Sequence, residues 1–398
     1  MAEFLDTIES IRAEEASVRR LFDRSDGTGV RTGGRHRNPR YMSELAEAAT
    51  FLADVLDGRR PISHLQEAMT TSDFPNLFGD VIDRQVLAGY RETPQTYRSY
   101  AKVSQVRDFR TVSRFKVDGG EGVLAEVAEQ TAYPEAALTD GKYQYSVKKY
   151  GRRMPFSWES MINDDLGMLR DVPERFGRAA RRTEERFATG LFVGVSGPNG
   201  TFFANGNKNV VNTTNGAASD NPALSVTGIQ DAMKVLSRQV DADGEPITIT
   251  SMELVVPPAL TVPAMTILNA TTIRDSSAAG GGASGRELEV ANWMKGIVNL
   301  SVNPYIPVLA TSGNGNTSWF LFANPNEGRP AMEIGFLRGH EEPEVFMKSP
   351  NAVRVGGGDA GALDGDFDVD SVEYKVRHVL GGSLMDPKAA VASNGSGS

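Results

Sequence analysis

Between Lys116 and Tyr150 the chain alternates like a pair of strands, yet that stretch holds only six large aliphatic side chains: Val117, Val123, Leu124, Val127, Leu138 and Val147. Tyr143, Tyr145, Val147 and Lys149 interleave with Gln144, Ser146 and Lys148, and this period of two predicts a strand. A two-stranded hairpin is marginal in water even with a good apolar face, and this one lacks such a face. It has to lie on something else. With Pro134 and Gly141 read as near its tip, the support is either the rest of the chain or a second molecule.

The rest of the chain has the material for ordinary cores. Its 398 residues leave room for two or three compact regions, and 40% hydrophobic with 23% charged residues is a globular balance. There is no cysteine, which excludes disulfides, thiolate metal sites, iron–sulfur clusters and cysteine nucleophiles. The stretch that opens Met1-Ala2-Glu3-Phe4 lacks an uninterrupted apolar core, and no 18-residue apolar run occurs, so the expectation is a soluble cytoplasmic protein without a membrane partner.

A net charge of −9 opposes general adhesion to DNA, because phosphate binding needs Lys and Arg to displace counterions. The charge is unevenly spread. Arg91, Arg98, Lys102, Arg107, Arg110, Arg114 and Lys116 face only Glu92 and Asp108 in one block, whereas Gly339 to Asp370 holds eight acidic residues against Lys348 and Arg354. Such blocks are either solvated faces or surfaces that meet across subunits.

Helical spacing of Phe4, Leu5, Ile8, Ile11, Val18, Leu21 and Phe22 predicts a helix over 1–24, followed by a Gly- and Arg-rich loop from Ser25 to Arg40. Short helices are expected at 41–57 and 77–90. A long helix follows Asn163-Asp164-Asp165, with Pro173 in an early turn and Phe176, Ala180, Thr183, Phe187 and Leu191 as its apolar stripe. Its charged face, Arg175, Arg178, Arg181, Arg182, Glu185 and Arg186, is expected to point outward. Asn-Gly pairs at 199–200, 205–206 and 215–216 mark turns. A second region opens near Thr227 with a helix bearing Ile229, Met233, Leu236 and Val240, a strand over Ile247–Val256, a helix at 259–269, and strands near 297–302 and 319–323. Gly280 to Gly285 reads as a mobile loop, Ala331 to Leu380 as short strands around Gly356 to Gly358, and Ser393 to Ser398 as a disordered tail.

No catalytic constellation assembles. Gly194, Gly197 and Gly200 follow a helix where a dinucleotide motif follows a strand, and Ser196 lacks the spacing of a nucleophile elbow. Asp364, Asp366, Asp368 and Asp370 resemble the start of a calcium loop, but counting from Asp366 puts Ser371 at the required glycine and Arg377 at the required glutamate. His36, His64, His340 and His378 fit no metal-ligand spacing. No cofactor is expected.

Several short motifs nevertheless occur in a telling order. They are Val147-Lys148-Lys149-Tyr150-Gly151, Phe156-Ser157-Trp158-Glu159, Asn163-Asp164-Asp165-Leu166 and Gly200-Thr201-Phe202-Phe203-Ala204-Asn205-Gly206-Asn207. Leu254-Val255-Val256-Pro257-Pro258, Leu268-Asn269, Trp319-Phe320-Leu321-Phe322-Ala323-Asn324-Pro325 and Phe336-Leu337-Arg338-Gly339 follow. In order and spacing, residues 74–385 resemble the major capsid proteins of tailed bacteriophages, especially the Mu-type major head subunit family. Residues 1–73 share no motif with it.

The resemblance implies an α+β chain of the Hong Kong 97-type capsid fold. Mapped here, it implies an N-terminal arm and helices at 1–111, an extended β-hairpin loop at 112–157, and a peripheral domain with a long spine helix at 158–226. An axial domain at 227–335, returning peripheral strands at 336–385 and a flexible tail at 386–398 complete the map. The implied function is self-assembly into hexamers and pentamers of an icosahedral virion shell around double-stranded DNA, with portal and scaffold or decoration proteins as further partners. The alternatives are an encapsulin-type shell subunit, a nucleic-acid-binding module built on Arg35 to Arg40, and, least supported by the residues, an enzyme. Candidate inter-subunit residues are Lys142, Lys148, Lys149, Arg152 and Arg153 on one side and Asp366, Asp368 and Asp370 on the other. Some relatives join a loop lysine to a neighbour's asparagine, and Lys142, read as near the hairpin tip, and Asn351 are the pair nominated for that bond.

Overall fold

The computed structural model describes residues 13, 39–56, 59–61, 64, 68, 74–118, 127, 139–157, 166–275, 288–348, 351 and 367–397. In chain order these form helices α1 (Pro39–Leu56) and α2 (Phe74–Glu92), strands β1 (Lys102–Val106), β2 (Val112–Asp118), β3 (Thr139–Tyr145) and β4 (Lys148–Ser157), and helix α3 (Leu166–Phe192). Next come the short pair β5 (Val193–Gly194) and β6 (Gly197–Pro198), α4 (Val226–Ser237), β7 (Met252–Val256), α5 (Thr261–Asn269), β8 (Thr272–Asp275) and β9 (Leu288–Ala291). The last elements are β10 (Val298–Val302), α6 (Ile306–Leu309), β11 (Trp319–Ala323), β12 (Met332–Leu337), β13 (Glu344–Met347), β14 (Ser371–Leu384) and β15 (Ala390–Ser393). The chain is α+β and divides into two units, one of residues 1–94, 149–183 and 339–379, the other of 95–148, 184–338 and 380–398.

In the first unit, helices pack on one face of a small sheet. The first half of β14 pairs antiparallel with β13, Val345 opposite Val376, and also pairs with β4. Alternation buries Val372, Tyr374 and Val376 of β14 against Leu45, Ala49, Leu52 and Val55 of α1, Val81, Ile82 and Val86 of α2, and Val172 and Phe176 of α3. Met154 and Phe156 of β4 close the same core. Two glycines let α2 and α3 touch backbone to backbone: a Cβ on Gly89 would sit 2.7 Å from the Glu174 carbonyl oxygen, and one on Gly177 would collide with that of Val86.

The second unit is built on a sheet ordered β10-β7-β11-β15, in which β7 runs parallel to β10 and antiparallel to β11. Every residue of β7 and of β11 is buried, as expected of strands covered on both faces. On one side Leu254, Val256, Trp319, Leu321 and Val391 pack against Ile229, Ala232, Val235 and Leu236 of α4 and Ala264 and Leu268 of α5. Aromatic rings fill the other side, where Phe192 meets Phe320 and Phe322 edge-on at 4.9 and 5.3 Å and Tyr100 stacks on Phe322 at 5.0 Å. This unit also holds β1, β12 and the end of β14, with β12 parallel to β1 and antiparallel to β14.

Several expectations change. The alternation from Tyr143 to Lys149 is not one strand, because the chain leaves the hairpin after Tyr145 and enters a different sheet at Lys148. The expected strand from Ile247 starts only at Met252, and the helix bearing Ile229 ends at Ser237, leaving Val240 exposed. Ala331 to Leu380 holds, besides short strands, most of a strand of 14 residues that runs on to Leu384. The tail is also structured: Ala390–Ser393 is a fully buried strand paired to β11, and Gly397 bridges Pro222. Its small side chains lack the usual signature of a buried strand.

The long helix differs most from its sequence reading. Phe176 and Ala180 are buried as expected, but the buried stripe continues through Arg181, Glu184, Glu185, Ala188, Thr189 and Phe192, so Arg181 and Glu185 do not point outward. The Arg181 guanidinium lies 3.7 Å from the centre of the Tyr90 ring and donates to the Tyr90 carbonyl at 3.1 Å. Glu185 accepts from the Thr96 amide and hydroxyl at the start of the turn Tyr97–Ser99, an N-cap supplied from another element. The first expected helix, apart from Ala13, the loop from Ser25 apart from Pro39 and Arg40, which are already helical, and the runs Gly280–Gly285 and Gly356–Gly358 lie outside the described residues.

Candidate assembly site

The hairpin strands β2 and β3 pair from Val112 opposite Tyr145 to Asp118 opposite Thr139. Alternation sends Arg114, Lys116, Tyr143 and Tyr145 to one face and Ser113, Phe115, Lys142 and Gln144 to the other. The first face meets two buried carboxylates. Glu333 of β12 takes three donors on one oxygen, Arg114 Nε at 2.8 Å and the Ser104 and Tyr145 hydroxyls at 2.5 Å each. Asp386, just after β14, pairs with Lys116 Nζ at 2.6 Å and with Arg329 at 3.6 Å. The two carboxylate side chains are 2% and 5% exposed, so the desolvation of each has to be offset by its partners. Burial pushes the Glu333 carboxyl up, but the hydrogen bonds from Ser104, Tyr145 and Arg114 together hold it below the usual value.

The backbone is shaped for this contact. A Cβ on Gly335 would lie 2.6 Å from the Tyr145 hydroxyl, so the glycine leaves the room the ring needs to reach Glu333. Gly381 of β14 likewise admits the Ser146 carbonyl where the chain leaves the hairpin. Lys102, Arg114, Lys116, Arg329, Glu333 and Asp386 line a cleft of about 500 Å³ beside the hairpin root. Arg114 and Lys116 belong to the basic block of the sequence, but here they are bound to acids of their own chain.

The candidate inter-subunit residues fall into separate places. Lys142 is exposed on the outer face of β3, its ammonium 5.9 Å from the centre of the Phe115 ring. It stands in the paired root, three residues from the end of β3, not at a tip. Lys148, Lys149, Arg152 and Arg153 are exposed along β4, where alternation puts Arg152 on the side of Met154 and Phe156 and Lys149 with Arg153 on the other. Arg153 has a partner in its own chain, Glu373 at 3.5 Å. Asp368 and Asp370 are exposed, Asp366 lies outside the described residues, and the Asn351 side-chain oxygen accepts from the Phe367 amide at 2.8 Å. The Glu333 and Asp386 anchors were missed because single acids in apolar stretches carry no periodic signal.

Among the described residues there is no cluster of His, Asp and Glu suited to a metal ion, and no helix is long and apolar enough to cross a membrane.

A family model described as phage capsid protein matches residues 142–393. Solved structures that are similar include one titled Mycobacterium phage Adephagia, 11% identical over 76% of this chain and 90% of that chain with a TM-score of 0.44. Another is titled Gordonia phage Cozz, 14% identical over 73% and 83% with a TM-score of 0.41. The capsid of a native GTA particle is 14% identical over 77% and 95%, with a TM-score of 0.42. No curated protein matches the sequence.

Proposed function

This chain belongs to the phage capsid protein family, and from that membership we propose how it works as the major capsid protein of a tailed phage. The family is one of structural shell subunits, so the chain's work is assembly with copies of itself and not catalysis. The observation that carries the reading is the hairpin: it has too little apolar surface to stand alone, and ion pairs to two buried carboxylates fix its root. A root held at a set angle suits an arm that reaches a neighbour, because pre-organisation lowers the entropy lost on docking.

Hexamers and pentamers of this one chain would close an icosahedral virion shell by the Hong Kong 97-type plan, with 112–157 as extended loop, the helix Leu166–Phe192 as spine, and 227–335 as axial domain. Double-stranded DNA is the content, held without sequence readout, and a portal with scaffold or decoration proteins completes the partners. The negative net charge supports this, since a weakly repulsive lining does not trap the polymer. Assembly would take place in the host cytoplasm.

Between copies, Lys142, Lys148, Lys149, Arg152 and Arg153 would face acidic residues that include Asp366, Asp368 and Asp370. Each exposed pair contributes about 0–1 kcal/mol, so only repetition around a ring gives such contacts weight. Negative-stain images of the purified protein should show closed shells, and Lys149→Glu with Arg152→Glu and Arg153→Glu should prevent them. Shells from the triple variant at both low and high salt would remove these charges from the mechanism. Covalent locking through Lys142, whose amine would displace ammonia from the Asn351 amide of a neighbour, predicts a ladder on a denaturing gel; a lone monomer band rejects it.

A further inference from the structure

Two exposed segments carry large apolar side chains and opposite charge. The first is the turn between β1 and β2 with the outer face of β2, where Phe109 is 54% and Phe115 66% exposed. Arg107, Arg110 and Lys142 are exposed around them. Arg114 and Lys116 already serve Glu333 and Asp386, and exposed Asp108 accepts from the Arg110 amide at 3.0 Å, so two aromatics and three cations face outward with one acid among them. The second segment is 367–370. There Phe367 is 78% and Val369 70% exposed, alternating with exposed Asp368 and Asp370, and the Asn351 side chain holds the Phe367 amide.

Large apolar side chains this exposed, grouped beside charges mainly of one sign, suit a contact surface with an apolar centre and a charged rim. Two such surfaces of opposite sign on one self-assembling chain suit each other. We propose that the 107–115 turn of one copy receives the 367–370 segment of a second copy, with Phe367 and Val369 against Phe109 and Phe115 and the two aspartates beside Arg107, Arg110 and Lys142. The proposal rests on the shell-subunit reading and names a contact within it. Aromatic burial would hold the contact, while the charges would set its register and disfavour pairing of like segments.

Because the chain has no cysteine, Phe109→Cys combined with Phe367→Cys introduces the only two thiols. A short bismaleimide added to assembled particles should produce a ladder of covalent oligomers on a denaturing gel, and either single variant should stay largely monomeric. Separately, Arg107→Glu with Arg110→Glu should raise the protein concentration needed for assembly by about tenfold. Adding Asp368→Lys and Asp370→Lys to the same chain should recover most of that loss. Closed shells that give no ladder, or a swapped variant no better than the single-sided reversal, would overturn the contact while leaving the shell reading intact. Absence of shells from the wild-type protein strikes the shell reading itself. If the Arg107→Glu, Arg110→Glu variant assembles normally but loses DNA retention in a filter assay, the turn is a nucleic-acid surface and the proposal is wrong.

Discussion

At the scale of single residues, Glu333 is the side chain on which the most depends. It is buried, accepts three hydrogen bonds on one oxygen and holds the hairpin through Arg114 and Tyr145. The Arg114 side chain is 36% exposed and can reach water if its partner is lost, which keeps the penalty below that of a fully buried pair. Glu333→Gln is therefore expected to cost about 1–3 kcal/mol in a denaturant titration. The pH dependence follows from the lowered carboxyl. The stabilisation is fully present above the ordinary value of 4.5 and disappears as pH falls through the lower folded value. Glu185 acts in the opposite sense, since burial raises its carboxyl and its favourable contribution is lost as pH rises. The clean measurement is the difference between wild type and Glu333→Gln, which should shrink toward zero on acidification. A difference that does not change with pH would contradict the assignment.

At the scale of elements, α3 shows how a charged side chain can belong to a core. Arg181 and Arg182 are neighbours of the same type, and nothing local distinguishes them. Arg181 is 4% exposed and lies on the Tyr90 ring, whereas Arg182 is exposed. Arg181→Ala should cost about 1–3 kcal/mol through lost stacking and the lost hydrogen bond to the Tyr90 carbonyl, while Arg182→Ala should stay within about 0.5 kcal/mol. Thermal unfolding of the two variants side by side decides it, and equal shifts would show that Arg181 is not part of the packing. The same helix depends on Gly177 for its approach to α2, a requirement set by backbone contact and not by propensity.

At the scale of the whole molecule, folding and assembly should separate at the hairpin. The described ladder ends at Asp118 opposite Thr139, and the anchors to Glu333 and Asp386 lie below it. Deleting residues 120–137 removes no described anchor, so the variant should unfold at nearly the wild-type temperature and still fail to close shells. Circular dichroism and electron microscopy of the same preparation test both halves. Normal particles would show that the hairpin is dispensable, and an unfolded product would show that its outer part belongs to the core.

Some of this protein was legible in its residues alone. The deficit of aliphatics in the hairpin, the helices near 41–57, 77–90 and 165–194, and the order of short motifs that marks a capsid subunit are local or sequential signals, readable without knowing what packs on what. Other features had no such signal. Whether Arg181 or Arg182 is buried, whether Ala390–Ser393 is a tail or a strand, and whether Arg114 and Lys116 face a neighbour or their own chain depends on partners 91, 68 to 74, 219 and 270 positions away, Tyr90, Trp319–Phe322, Glu333 and Asp386. Period and composition describe a residue's surroundings along the chain. Burial and pairing of a charge are set by what the fold brings across from elsewhere, because only there is the cost of desolvation either met by a partner or left unpaid.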